Sequence, residues 1–587
     1  MLLILLLPAV APADDDLVFF ESKIRPLLAA HCYECHSARS SELKGGLRLD
    51  SRAGVVQGGD SGALIMLGDP AKSLLIKAVS YRDSDLQMPP TGRLGDEEIA
   101  LLEEWIRRGA PDPREEPARE VKKESGIDYQ NGRKFWSFIA PRKHGLPAIR
   151  AEGWPRGSID HFILSGIEGA NLTPAAGADR RTLVRRAYLD LHGLPPTTEQ
   201  IQAYVLDDRP DAWERLIDEL LASPRYGERW GRHWLDVARY SDSNGMDEDI
   251  AHPEAWRYRD YVIRSFNQDK GFDDFIVEQI AGDLLPNDSL EQRRDQVAGL
   301  GFLSVGPKML ACDDPDKMRR DIVDEQLDTT GRAFMGMTLG CARCHDHKFD
   351  PISIEDYYGL AGIFLSTKTL TKYTVVAHYH QYDLTDPEVA DRWKEIAGLE
   401  KKRGDKKTPE EEKKALGERI AELKKDLPPK HRVMGVTEDT VANTKVHLRG
   451  NYMTLGEEVP RRVLPVIEGF DQPAMPSKQS GRLEFARWIA SEEHPLTARV
   501  IVNRLWRWHF GRGLVPTPDN FGVLGELPSH PELLDHLALM LMEEGWSLKA
   551  MHREIMRSAT YRQGSRAPEA LEKDPDNRLF ARWKPRR

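Results

Sequence analysis

Four of the five cysteines in this 587-residue chain fall into two copies of one spacing, Cys32-Tyr33-Glu34-Cys35-His36 and Cys341-Ala342-Arg343-Cys344-His345. No other feature restricts the fold so tightly. Cysteines at i and i+3 lie about one helical turn apart on the same edge. Each segment must therefore present two thiols and the adjacent imidazole to one rigid group. A disulfide framework would spread its cysteines along the chain instead, and only Cys312 is left over, read as a buried or idle thiol. With five cysteines and 18 histidines, one such motif by chance is expected on the order of once per thousand chains. Two are not accidental.

The spacing is that of covalent haem c attachment, with two thioethers and the histidine as an axial iron ligand. In the first copy, Cys32 and Cys35 are the attachment points and His36 is the proximal ligand. A sixth ligand is needed on the other face. Met88 stands in a Pro-Pro loop whose rings fix the backbone, with Met66 as its competitor. A zinc site lacks a second Cys/His pair in this segment.

The second copy leaves three readings open: a second haem on Cys341, Cys344 and His345; a zinc or iron site that adds His347; or a redox-active dithiol. Export to the compartment of haem attachment favours haem. Asp346 and Asp350 are candidates to orient ring N–H groups. His233, beside Asp236, Arg239, Asp242 and Asn244, is a candidate distal ligand or acid/base. His233 and His347 are the candidate catalytic residues, each weighed against an ordinary polar helix face or loop anchor.

Hydrophobic periodicity predicts a mainly α protein. Residues 17–112 read as helix, motif, loops, helix, methionine loop, helix. Phe20, Ile24, Leu27 and Leu28 share one face, and Asp69 with Pro70 starts a helix over "DPAKSLLIKAVS". A charged linker covers 113–134. Residues 135–370 form a large helical domain with the second motif. Residues 389–427 form a Lys/Glu-rich helical hairpin, and 440–470 a short β segment. Residues 480–587 form a helical C-terminal domain with Trp506, Trp508, Phe510, Phe521 and Trp546 as its bulky core.

The opening run "MLLILLLPAVAPA", residues 1–13, reads as a signal peptide, which places the protein in the periplasm or cell envelope. No later apolar run is long enough to span a bilayer. The formal net charge of −11 argues against a nucleic-acid partner.

These residues resemble a known family. "PLLAAHCYECHS", "KGGLRLDSR", "MPP" and "DEEIALLEEWIRRGAP" resemble the planctomycete cytochrome c domain. "DRRTLVRRAYLDLHGLPPT", "YGERWGRHWLDVARYSDSNG" and "LGCARCHDHKFDPIS" are similar to the family's second domain, and "PLTARVIVNRLWRWHFGRGLV" with "SATYRQ" to its last. Both larger domains are of unknown function. The resemblance covers nearly the whole chain. It implies a class I-like cytochrome c fold at the N-terminus, haem c and export, with a last domain that is incomplete at Arg587. The function expected is that of an exported multidomain c-type cytochrome, dihaem, exchanging electrons with a redox partner protein or a small-molecule donor or acceptor. The alternatives are a haem-dependent oxidoreductase acting on a carbohydrate or peroxide at the second haem, and a cell-envelope binding or scaffold protein with an accessory haem domain.

Overall fold

The 3.6-residue periods of the sequence become helix along most of the chain, and the architecture is mainly α. The computed structural model describes residues 14–37, 40, 44–83, 86–114, 127–246, 248–467 and 473–585. The expected signal segment, 1–13, lies outside them. Among the described residues no helix is long and apolar enough to cross a membrane. The chain divides into two units, Met1–Gly126 and Ile127–Arg587.

In the N-terminal unit, helix Asp14–Phe19 runs through a π-turn, Phe20–Ile24, into helix Arg25–His31. Phe20, Ile24, Leu27 and Leu28 are all buried, as their spacing requires. They pack with Leu75, Ile76, Leu102 and Trp105 from helices Leu74–Val79 and Asp96–Arg107. The last of these helices is closed by Glu98, whose carboxylate accepts from Gly95 N at 2.9 Å. One start signal differs from expectation. Asp69 and Pro70 open only a 3₁₀ turn, Pro70–Lys72, and helix Leu74–Val79 begins after it. Ser73 interrupts the run because its hydroxyl bonds back to Asp69 O at 2.9 Å and accepts from Met66 N at 2.8 Å.

The expected linker is anchored at both ends. Arg114 reaches back to Tyr33 Oη at 2.8 Å and Leu49 O at 2.6 Å, with its guanidinium over the Phe20 ring. Helix Tyr129–Gly132 belongs to the second unit, where Tyr129 Oη donates to Asp356. Residues 115–126 between them lie outside the described set.

In the second unit, 135–370 and 480–587 share one continuous core. Buried polar groups stitch them together. Trp213 Nε1 donates to Met556 O at 2.9 Å, and Asp160 accepts from Ala559 N and Thr560 N at 2.8 and 2.9 Å. Trp234, buried, donates to Gln279 Oε1 at 2.8 Å, and so does Tyr258 at 2.6 Å. Each such group is paid in hydrogen bonds for the water it lost.

The Lys/Glu-rich hairpin is helices Pro387–Gly404 and Glu410–Lys424, with Ile396, Ile420 and Leu423 as its own small core. It springs from a two-stranded ladder, Gln381–Asp383 with Arg432–Met434. The β segment is the antiparallel pair Thr444–His447 and Leu455–Val459. Two further short antiparallel pairs join Thr367–Lys368 to Thr437–Glu438 and Leu370–Lys372 to His378–Tyr379.

Candidate functional site: two cysteine motifs and an arginine-lined cleft

Helix Arg25–His31 ends on Cys32, whose N–H still bonds Leu28 O at 2.9 Å while its φ of −126° leaves the helix. The chain then folds back on itself: Cys35 N and His36 N both donate to Cys32 O, at 3.2 and 2.9 Å. The turn puts Cys32, Cys35 and His36 along one wall of a cavity of about 370 Å³. Leu47, Leu49, Leu64, Leu75 and Val79 supply apolar walls. Met88 lines the same cavity, tied by its N–H to Ala78 O at 3.2 Å, and Tyr81 Oη donates to Pro89 O behind it. Met66 does not line it and is exposed. His31, which the sequence reading did not single out, also lines the cavity, with Nε2 3.1 Å from Glu98 Oε1.

Burial marks two of these side chains. Burial pushes the Cys32 thiol up to about 11, so the free chain keeps it protonated. His36 Nδ1 is buried with no hydrogen-bond partner, an arrangement that costs free energy unless the ring is used. Two thiols, an imidazole and a thioether around apolar walls form a haem c donor set.

The second motif has other surroundings. Residues Leu339–Arg343 form a 3₁₀ turn, in which side chains three apart eclipse. Arg343 fixes the turn, donating to Asp321 at 2.9 Å and Asp324 at 3.0 Å, and its carbonyl accepts from Tyr358 Oη at 2.9 Å. Cys341, Cys344 and His345 are all exposed. The tip of the 444–459 hairpin crosses close by: a Cβ on Gly450, φ +75°, would lie 2.5 Å from Cys344 Sγ.

His347 turns inward. Its Nδ1 accepts from Asp350 N at 2.8 Å, which leaves Nε2 to carry the proton toward Thr338 Oγ1 at 3.4 Å. Its backbone N–H bonds Ile352 O at 2.8 Å. The ring is committed to closing its own loop. Asp346 accepts from Ile354 N at 3.0 Å and Asp350 from Val523 N at 2.7 Å, so both carboxylates hold backbone. Among the described residues no group of three or more His, Cys, Asp or Glu is placed to hold a metal ion. The four-ligand reading of this run is not assembled. Cys312 is half-buried beside a small apolar cluster.

His233 lies elsewhere, on helix Pro224–Val237, facing a cleft of about 620 Å³ that His347 does not line. Its ring stacks on Trp508 at 4.7 Å. Trp508 is thus a half-buried cleft residue, where the sequence had suggested core. Helix Thr497–Phe510 brings Arg504, Arg507 and Trp508 to the cleft, with Gly511 after its end. Arg504 is buried and donates to Arg332 O at 2.7 Å and Asp519 at 2.9 Å. Arg332 pairs with Asp328 at 2.7 Å, and Arg239 with Glu325. The nearby "RYSDSNG" loop is held internally. Asn244, fully buried, donates to Glu248 at 3.0 Å and Lys308 O at 3.1 Å and accepts from Ile250 N at 2.9 Å. The arginines 332, 504 and 507 were missed in sequence, although 504, 507, 508 and 511 follow an i, i+3, i+4, i+7 stripe.

Three family models match the chain in order. Planctomycete cytochrome C matches residues 32–92, a Protein of unknown function (DUF1549) matches 158–369, and a second Protein of unknown function (DUF1553) matches 481–587. No curated protein and no solved structure matches it.

Proposed function

We propose that this chain, which matches a planctomycete cytochrome C model ahead of DUF1549 and DUF1553 models, transfers electrons in the cell envelope. The observation that carries the reading is the single cavity lined by Cys32, Cys35, His36 and Met88. Haem c supplies a one-electron couple when bound. Cys32 and Cys35 would anchor it at the end of helix Arg25–His31, and His36, from the same turn, and Met88 would hold its iron. The leucine and valine walls exclude water, and a thioether donor in such a pocket favours the reduced state. Tyr81 and the two prolines hold the methionine loop so that little conformational freedom is lost when the thioether binds. Cys341, Cys344 and His345, exposed on and just after the 3₁₀ turn Leu339–Arg343, would hold a second haem and make the protein dihaem, and residues 1–13 would direct its export.

Haem content after production with a cytochrome c maturation system tests both sites. The wild type is expected to carry two covalent haems. Cys32→Ala with Cys35→Ala, and Cys341→Ala with Cys344→Ala, should each leave one. A second pair that leaves wild-type content removes the second haem from the assignment. Met88→His is expected to keep the first haem and lower its potential, because imidazole stabilises ferric iron more than thioether does. An unchanged potential in a redox titration would transfer the ligand role to another residue.

A further inference from the structure

The cleft beside His233 is unusual in its charge. The chain as a whole is acidic, with 83 Lys and Arg against 94 Asp and Glu. Yet five arginines and three aspartates line this cleft, and no lysine does. A second cavity of about 560 Å³ adjoins it through a shared residue, Arg229, and holds Arg185 and Arg186, again without lysine. Arg186 is occupied, buried under Trp583 at 3.6 Å and donating to Gln563 O at 3.0 Å. Arg239, Arg332 and Arg504 are occupied by the carboxylates described above.

Three guanidinium groups are left over. Arg229, Arg507 and Arg185 make no hydrogen bond or ion pair among the described residues, and Arg229 Nε is buried. Arg507 and Arg185 stand at the surface, one in each lobe, with Arg229 between. Three guanidinium groups with no carboxylate partner lining two cavities that meet at Arg229 point to an anionic ligand. Exclusive use of arginine selects the ligand's chemistry, because the planar fork matches the paired oxygens of carboxylate, phosphate or sulfate. The cleft lies where residues of the DUF1549 and DUF1553 segments meet, a common place for ligand sites.

We propose that the two-lobed cleft binds a ligand carrying at least two oxyanion groups, one engaged by Arg229 with Arg507 and the other by Arg229 with Arg185. The site is independent of either haem, so its failure and the failure of the electron-transfer reading are separable. The test is calorimetric titration of the full-length haem-loaded protein with inorganic pyrophosphate, with citrate, with inorganic sulfate, and with a neutral oligosaccharide. Pyrophosphate or citrate should bind more tightly than sulfate, and whichever wins identifies the oxyanion as phosphate or carboxylate. Arg229→Gln should weaken that binding about tenfold, as expected for one charge-assisted hydrogen bond lost. Arg507→Gln should weaken it by a smaller factor, and Arg487→Gln, outside the cleft, should leave it unchanged. Circular dichroism checks folding. If Arg229→Gln does not fold, the exposed Arg507 variant decides the matter. Absence of binding by all three anions, equal binding of the neutral sugar, or equal loss in Arg487→Gln overturns the proposal.

Discussion

The two CxxCH motifs share a string of letters and little else. At the first, the turn closes on an apolar cavity, one thiol is raised by burial, and a ring nitrogen of His36 is buried without a partner. At the second, both thiols and His345 are exposed on a turn pinned by an arginine between two aspartates, and the buried histidine is His347. The first site is arranged around something that fills it, whereas the second is satisfied by its own loop and offers its thiols outward. The motif states which atoms are available. The surroundings decide what they cost and what can reach them.

The largest expected contrast between the two units is their response to acid. The second unit holds His494 down to about 3 and His530 to about 4, both by burial, with Asp574 opposing the shift at His530. A histidine depressed in the folded state contributes stability that is full above its unfolded pKa near 6.5 and is lost as pH falls toward the folded value. Each therefore removes about 1.4 kcal/mol per pH unit below that point. In the N-terminal unit the groups held low are carboxylates such as Glu98, whose contribution fades only below the ordinary carboxylate range. Trp105 is the N-terminal unit's one tryptophan of the 13 in the chain, so tryptophan fluorescence follows the second unit. Its melting temperature should drop between pH 6.5 and 4, while in the Cys341→Ala, Cys344→Ala variant, whose one haem belongs to the first unit, the haem absorbance should hold until lower pH. Parallel curves would break the comparison.

A middling effect separates the histidines of the second motif. His347→Ala removes the acceptor of Asp350 N and the contact with Thr338, and should cost about 1–3 kcal/mol, the penalty for orphaned buried partners. In the Cys341→Ala, Cys344→Ala background, which holds no second haem, His345, exposed and bonded to Asp346 O at 2.6 Å, should lose no stability on the same change. Thermal unfolding of the two variants gives the answer. Equal melting temperatures would mean that His347 does not anchor its loop.

The legible parts of this chain were those whose cause is local. Phe20, Ile24, Leu27 and Leu28 announce a buried face by spacing alone, and the 389–427 hairpin by its breaks at Gly404 and Pro409. The two- and three-residue strands at 367–383 and 432–438 carry no period, because a ladder this short is set by its partner across the inserted hairpin. The common core of 135–370 and 480–587 left no mark either, since contacts between distant segments do not change the spacing within either one. The cleft was half legible. The stripe of Arg504, Arg507, Trp508 and Gly511 was present, but an aromatic at helical spacing reads as core until the neighbouring helix shows that it faces a cavity.

The smallest expected effect compares two helix starts that look alike in sequence. Asp69 stands before "PAKSLL" and Ser353 before "IEDYYG". Ser353 closes a reciprocal box: its hydroxyl accepts from Asp356 N at 3.1 Å, and Asp356 accepts from Ser353 N at 3.0 Å, at the head of a twelve-residue helix, Ile354–Leu365, that backs the second motif. Ser353→Ala should therefore cost about 1 kcal/mol, the ordinary worth of a cap. Asp69 accepts from Lys72 N at 3.3 Å at the head of a single 3₁₀ turn and is solvated. Its replacement by alanine frees donors that water can satisfy, and helix Leu74–Val79 starts beyond it, so the melting temperature should stay at the wild-type value. A drop for Asp69→Ala as large as for Ser353→Ala would show that the 3₁₀ turn and the helix after it act as one cooperative element beside the haem cavity.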